Sequence, residues 1–452
     1  VKFFRDISLF HKKRRSKGAT FIIVMGITLC LITMALYFCD SMVLEYRAAE
    51  NNIEGMQASQ AIEGARRYMG FILENADNPG FVPDPETYVS EKVPVGSGFF
   101  WIIGRDEDTE ENANIPGFGI VSEASKLNLN TATRDMLEAL PQMTTELAAA
   151  IIDWRDTDMD PSSGGAESEY YLLLDDPYQC KNGPFESIEE LRLVMGGDWE
   201  VLYGEDLNRN GILDPNENDG EESPPSDNAD GVLDFGILEY VTVFSREPNK
   251  QEDGSGRINI TTQRQELEAL LRENFGQERA NQIQAQTQAN LRNIRSVLEY
   301  YLRSQMTLAE FSRIKDALTI TDDETINGLV NVNTAPAEVL SCIPGLDQET
   351  SEKIVSARKE KTADDLESIA WIAEILENDQ CIEAGPHLTT RSYQFCADIA
   401  ALGLHGRGYK RELMIFDTSG EKAVVLFRRD LARFGFALGS SVKEDFLKLA
   451  EE

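Results

Sequence analysis

The sequence predicts an α+β fold: a long N-terminal helix packed on a small antiparallel sheet, with a large, mainly helical insertion interrupting the sheet. Three observations carry this reading. An apolar run from Ala19 to Cys39 continues, without proline, into small and apolar residues at helical spacing as far as Glu74. Strand-like patterns stand at Phe99 to Ile103 and Gly119 to Val121, and return only at Ser392 to Ile399, Glu412 to Phe416 and Ala423 to Arg428. Between the two groups lies an internal repeat of helical character.

The chain has 452 residues, 42% of them hydrophobic, and 43 Lys+Arg against 78 Asp+Glu give a net charge of −35. That apolar content builds packed cores and excludes a disordered or collagen-like chain. The charge disfavours nucleic-acid binding over the whole surface, because an anionic face repels phosphate and attracts cations. The three histidines, His11, His387 and His405, are scattered, which argues against a multi-histidine metal site. Cys30 and Cys39 fall inside the apolar run. Cys180, Cys342, Cys381 and Cys396 could pair in an oxidising compartment, in a connectivity that spacing leaves open.

Residues 1 to 18 carry Lys2, Arg5, Lys12, Lys13, Arg14, Arg15 and Lys17 against the single acid Asp6. The run that follows is long enough to cross about 30 Å of hydrocarbon at 1.5 Å per residue. The positive-inside rule puts the basic leader in the cytoplasm and everything after Cys39 across the membrane. Beyond the membrane, Gln57, Ala58, Ala61, Ile62, Ala65, Tyr68, Met69 and Ile72 recur at steps of three and four, so the helix is expected to run half in lipid and half on a soluble domain. An ordinary membrane anchor with a stalk is the plainer alternative.

In the insertion, Asn128-Leu129-Asn130-Thr131-Ala132 recurs as Asn331-Val332-Asn333-Thr334-Ala335, an offset of 203 that also carries Leu137 to Leu340, Pro141 to Pro344, Ile151 to Ile354 and Arg155 to Arg358. A weaker third echo is Asn259-Ile260-Thr261-Thr262. Each full copy has an extended opening, a capping threonine, a helix, a proline turn and a second amphipathic helix.

The segment Asp206-Leu207-Asn208-Arg209-Asn210-Gly211-Ile212-Leu213-Asp214-Pro215-Asn216-Glu217 fits the twelve-residue EF-hand loop, with oxygen ligands at 1, 3, 5, 9 and 12 and glycine at 6. Asp206, Asn208, Asn210, Asp214, Glu217 and the Ile212 carbonyl are therefore candidate calcium ligands, the alternative being a solvated acidic turn. Two further acidic groups are candidates for a second ion. Asp156, Asp158, Asp160 and Glu167 hold positions 1, 3, 5 and 12 of a similar loop, with Pro161 where glycine is wanted. Asp227, Asn228, Asp230 and Asp234, around Gly231, lack a twelfth-position acid. Nucleophile-elbow, phosphate-loop and HExxH patterns are missing from the sequence, so an enzyme is not expected.

The stretch Lys17-Gly18-Ala19-Thr20-Phe21-Ile22-Ile23 resembles the type IV prepilin cleavage signal, in which a prepilin peptidase cuts after the glycine, here between Gly18 and Ala19. Most pilins carry a glutamate at the fifth mature position, where this chain has Ile23, a departure that fits the K-type pseudopilin. The insertion's repeats resemble the helix-hairpin-helix family (SAM-like). Their turns, Pro141-Gln142-Met143-Thr144 and Pro344-Gly345-Leu346-Asp347, lack the second glycine of DNA-binding members and stand among acids, so a structural role is expected.

Lys126 to Ala132, Ile152-Asp153-Trp154-Arg155-Asp156, Gly165-Ala166-Glu167, Tyr170-Tyr171 and Pro184 to Leu191 together are similar to the general secretion pathway protein K family. That resemblance implies a minor pseudopilin of type II secretion at the tip of the pseudopilus, working with I-type and J-type minor pseudopilins and touching secreted protein. It would sit in the bacterial inner membrane, single-pass, with its C-terminal region in the periplasm. The expected divisions are a leader over 1–18, a helix over 19–75 and the first part of a pilin-like sheet over 76–124. A first helical repeat with calcium loops follows over 125–245, a second over 246–384, and the rest of the sheet with a tail over 385–452. The competing class is a membrane-tethered helix-hairpin-helix DNA receptor of competence type, which the acidic hairpins disfavour.

Overall fold

A computed structural model of the chain describes residues 17–76, 78–105 and 116–451. The expected leader lies outside these residues except for Lys17 and Gly18, which open the first helix, and the acidic turn expected at Asp106 to Asn114 lies wholly outside them.

Helix α1, Lys17–Glu74, is unbroken over 58 residues, about 87 Å at 1.5 Å per residue. From Thr20 to Cys39 it is apolar and exposed all round. Among the described residues, this is the one helix long and apolar enough to cross a bilayer. Within that run Thr28 and Thr33 donate to the carbonyls of Val24 (3.0 Å) and Leu29 (3.1 Å), so their hydroxyls need no partner outside the helix. The second half is one-sided: Ala58, Ala61, Ile62, Ala65, Met69 and Leu73 are buried at helical steps. Burying a side chain the size of Ile62 or Met69 contributes about 1.5–3 kcal/mol. The helix stops where the Asn75 side-chain amide donates to the Phe71 carbonyl (2.7 Å), just ahead of Pro79.

The sheet joins strands from both sides of the insertion. Strands β1 (Val93–Val95), β2 (Gly98–Ile103) and β3 (Val121–Ser122) precede it; β4 (Gln394–Leu402), β5 (Lys410–Asp417) and β6 (Val424–Asp430) follow it. All pairs are antiparallel in the order β1-β2-β4-β5-β6, and β3 pairs with the N-terminal end of β4 beside β2. Alternation sorts the side chains: Phe100, Ile102, Phe395, Ala397, Ile399, Ala401, Met414 and Phe416 pack on α1. The opposite face, with Trp101, Ile103, Ala400 and Leu402, is covered by Ala437, Leu438 and Phe446 at the C-terminal helix α7, Gly439–Glu451. The sequence leaves this helix unassigned, as a tail. With this helix over Ala400 and Leu402, and the insertion over Gln394, which accepts the Arg246 amide (2.8 Å), every residue of β4 is buried.

Between β3 and β4 the chain makes three units that open and close alike. Leu127–Asn128 pairs in parallel with Val241–Thr242, Ile258–Asn259 with Leu318–Thr319, and Val330–Asn331 with Leu388–Thr389. In each, the side-chain oxygen of the asparagine accepts the amide two residues on, from Asn130, Thr261 and Asn333, at 2.9 Å. The echo at Asn259, weak in sequence, thus has the same opening geometry as the other two.

The first unit continues into α2 (Arg134–Glu138) and α3 (Thr145–Arg155), and the last into α5 (Ala337–Leu340) and α6 (Gln348–Arg358). The middle unit carries α4, Arg264–Thr287, broken at Gly276 (φ 76°). The first and last units share one core, with Leu129 and Ile151 alongside Val332 and Ile354, while the middle unit has its own around Leu271, Tyr300 and Phe311. The repeat at offset 203 has a physical cause in an arginine. Arg155 donates to the carbonyls of Leu129 and Ala132, and Arg358 to those of Val332 (3.2 Å) and Ala335 (2.6 Å). Each side chain ties the end of the second helix back onto the turn that precedes the first. Cys180, Cys342 and Cys381 are free thiols in the core shared by the first and last units and Cys396 is a free thiol in β4, pushed by burial to about 11 (Cys180, Cys381) and about 12 (Cys342, Cys396).

Replacing Arg358 by Met removes the donor from two inward-facing carbonyls. Denaturant unfolding of the purified chain is expected to show a loss of about 1.5–3 kcal/mol, the range for hydrogen bonds to a charged group.

Candidate metal centre

The loop 206–217 is closed by its own side chains. Asp206 accepts from the amides of Asn210 and Gly211 (both 2.9 Å), and Asn210 accepts from Ile212 (2.8 Å). The carboxylate of Glu217 spans the loop, taking the amides of Leu207 and Asp214 (3.0 Å each). The chain reverses because Arg209 (φ 57°) and Gly211 (φ 74°) both lie in the left-handed region, which glycine enters without strain. Asp206, Asn210 and Glu217 are all buried.

This loop concentrates oxygen and negative charge away from water. Burial raises the pKa of Asp206, and burial followed by the nearby charge of Asp206 pushes Glu217 up to about 8. The Asn208 side-chain oxygen is buried and has no hydrogen-bond partner, while its amide donates to Asp214 (2.5 Å). An orphaned amide oxygen among carboxylates suits a hard, oxygen-seeking divalent cation. The residues that could hold it are Asp206, Asn208, Asn210, Asp214, Glu217 and the Ile212 carbonyl.

The loop 227–234 repeats that backbone. Ala229 (φ 54°) and Gly231 (φ 83°) match Arg209 and Gly211, and the Asn228 amide donates to Asp234 (3.2 Å) as Asn208 does to Asp214. Asp227 is turned away onto the amides of Gly220 (2.8 Å), Ala229 (2.8 Å) and Asp219 (3.0 Å), and Asp230 accepts from Val232 (2.8 Å). The acid missing at the twelfth position has a counterpart outside the loop. Buried Glu205 accepts from the amides of Asn228 and Asp234 (3.1 Å each), much as Glu217 braces its own loop. Sequence reasoning passed over Glu205 because it precedes the other loop; its adjacency to Asp206 was the available signal.

Asp156, Asp158 and Glu167 form a third group, with one carboxylate oxygen from each lying within 4.8 Å of the others. Asp160 stays outside: it is exposed, and its amide caps Asp158 (2.9 Å). Glu167 is buried with neither oxygen hydrogen-bonded, and burial followed by the charge of Asp156 raises its pKa. Asp153, not singled out from sequence, braces the turn by accepting the Ser162 amide (3.1 and 3.2 Å). A Cβ on Gly165 would fall 2.0 Å from Asp153, which explains a glycine two residues before Glu167. Glu167→Ala should remove a buried, unpaired carboxyl and so leave the ion-free chain as stable as wild type or more so in urea unfolding.

Two models described as type II secretion system (T2SS), protein K match the chain, one over residues 122–203 and one over 330–382. The first takes in the Asp156–Glu167 group; the loops at 206–217 and 227–234 lie outside both. The type II secretion system protein K of Pectobacterium carotovorum subsp. carotovorum is 29% identical over 199 residues, 42% of this chain and 61% of the relative. The protein of that name from Klebsiella pneumoniae is 23% identical over 197 residues, 42% of this chain and 60% of its own, and that from Aeromonas hydrophila is 27% identical over 199 residues, 40% and 60%. The chain therefore spans about three-fifths of the length of these curated relatives. The crystal structure of the GspK-GspI-GspJ complex from the enterotoxigenic Escherichia coli type 2 secretion system aligns at a TM-score of 0.38 and 10% identity, over 86% of this chain and 96% of the other. Both matched stretches fall on the first and last units of the insertion, so it is in these units that the chain is similar to the type II secretion system protein K family.

Proposed function

We propose that this chain is a minor pseudopilin at the tip of a type II secretion pseudopilus, where it initiates or caps assembly and meets secreted protein. The observation that carries the reading is α1: one continuous helix whose run from Thr20 to Cys39 is exposed and apolar, and whose second half is sunk into a sheet that bears a far larger insertion. An exposed apolar rod fits among similar rods in a bilayer or a helical fibre. The bulk of the insertion would clash with a copy stacked above it. In this reading the sheet is of pilin type, the inner membrane holds the rod with the rest in the periplasm, and a prepilin peptidase cuts between Gly18 and Ala19. The I-type and J-type minor pseudopilins are its partners, and its role is assembly rather than enzymatic chemistry.

The α2–α3 and α5–α6 pairs are taken as helix-hairpin-helix modules in a structural role. The anion site that such a turn offers is already filled at α6, where the Asp347 carboxylate accepts the Thr350 amide (2.8 Å). A phosphate there would meet a like charge. Calcium is the proposed ion of the 206–217 loop, with the Asp156–Asp158–Glu167 group and the 227–234 loop with Glu205 as further places for it. Its part is to cancel carboxylate repulsion and fix the loops, since binding energy gained only in the folded state adds to folding.

Four measurements check these statements. Mass spectrometry of membrane-extracted protein should find the N-terminus at Ala19. Immunogold labelling should mark one end of each pseudopilus, and label spread along the shaft would overturn the tip assignment. A mobility-shift assay at low salt should show no tight DNA complex, whereas tight binding favours the receptor reading. Calcium should protect residues 204–234 from limited proteolysis, with Glu217→Gln weakening that protection at least tenfold in calcium concentration; indifference to chelator would remove calcium from the reading.

A further inference from the structure

The 206–217 loop does not hang free of the sheet. Arg411, in the middle strand pair, is wholly buried, and its guanidinium forks onto Asp398 of the adjacent strand, Nε to Oδ1 at 2.9 Å and Nη2 to Oδ2 at 2.5 Å. Its other donors leave the sheet, Nη1 to the carbonyl of Asn208 and Nη2 to that of Arg209 (2.7 Å). Arg105, just past the end of β2, donates to the same Arg209 carbonyl at 3.3 Å and is itself held by Glu239 at 2.7 and 3.0 Å. Two arginines from the sheet therefore grip the backbone between loop positions 3 and 5. The side chains at those two positions, Asn208 and Asn210, are the candidate ligands on either side of the gripped carbonyls. Planar guanidinium suits this task, since one rigid fork serves the carboxylate and both carbonyls at once.

We propose that Arg411 is a positioning residue that couples the metal state of the 206–217 loop to the order of strands β4 and β5. The proposal rests on the reading of that loop as a calcium site. An ion that draws Asn208 and Asn210 inward fixes the peptide carbonyls between them, and those carbonyls are half of Arg411's acceptors. Coupling of this kind is reciprocal: a clamp that steadies the loop raises its affinity for the ion, and the ion in turn steadies the clamp and the strands that carry it.

The test compares wild type with Arg411→Lys, full chain in detergent, by calorimetric titration with calcium and by amide hydrogen exchange with calcium or chelator. In wild type, calcium should slow exchange in 394–402 and 410–417, strands remote in sequence from the loop. Lysine keeps the charge beside Asp398 but cannot span three acceptor groups. The variant should bind calcium five- to twentyfold more weakly and lose the calcium-dependent slowing in the strands, while keeping it within 206–217. Wild-type affinity together with calcium-dependent strand protection in the variant would overturn the clamp and leave the calcium site standing. No calcium binding by wild type would overturn both. If the lysine variant does not fold, Arg411→Met combined with Asp398→Asn removes the buried pair as a unit and is read by the same two measurements.

Discussion

Everything in this molecule hangs on β4 closing between strands that precede the insertion and strands that follow it. Ile399 lies opposite Ile102 and Phe395 opposite Ser122, so the two ends of the insertion are stitched together by a backbone ladder. Closing so long a loop costs entropy that grows only slowly with its length, whereas each ladder bond and each buried side chain along β4 adds to the return. The strand is buried on one face by α1 and on the other by α7 and the insertion together. Both α1 and α7 rest part of their apolar surface on it, beside β2.

The insertion solves the same problem on a smaller scale three times. A two-residue parallel pairing is too short to stand alone, and each is reinforced by an asparagine turned onto its own backbone. In the first and last units an arginine then locks the second helix to the opening turn. The acidic loops inside the first unit, ahead of its closing strand at Val241–Thr242, are differently made. They contribute little apolar surface, and side chains that accept backbone amides hold them in shape.

Much of this was legible in the sequence where periodicity or spacing is local. The buried face of α1 follows from Ala58, Ala61, Ile62, Ala65 and Met69, and every sheet strand except β1 from its pattern, with ends shifted by a few residues. The 203-residue offset pointed to Asn128, Arg155 and their counterparts without disclosing that the arginines bind carbonyls. What stayed hidden depends on contacts between distant residues. Helix α7 reads as a tail because its partners, Trp101 and Phe99, are at the other end of the chain. Glu205 serves a loop that begins some twenty residues later, and Arg411 serves one in another layer altogether. The expected group Asp156, Asp158, Asp160 and Glu167 comes together without Asp160, since Pro161 replaces the glycine that would have turned that side chain inward.

The unbroken character of α1 has a mechanical consequence. With no proline or loop between its bare half and the half seated under the sheet, the helix has no hinge at which to absorb an axial push. A rise of one helical turn, about 5.4 Å, would lift sheet, loops and insertion by the same amount, as a piston lifts its crown.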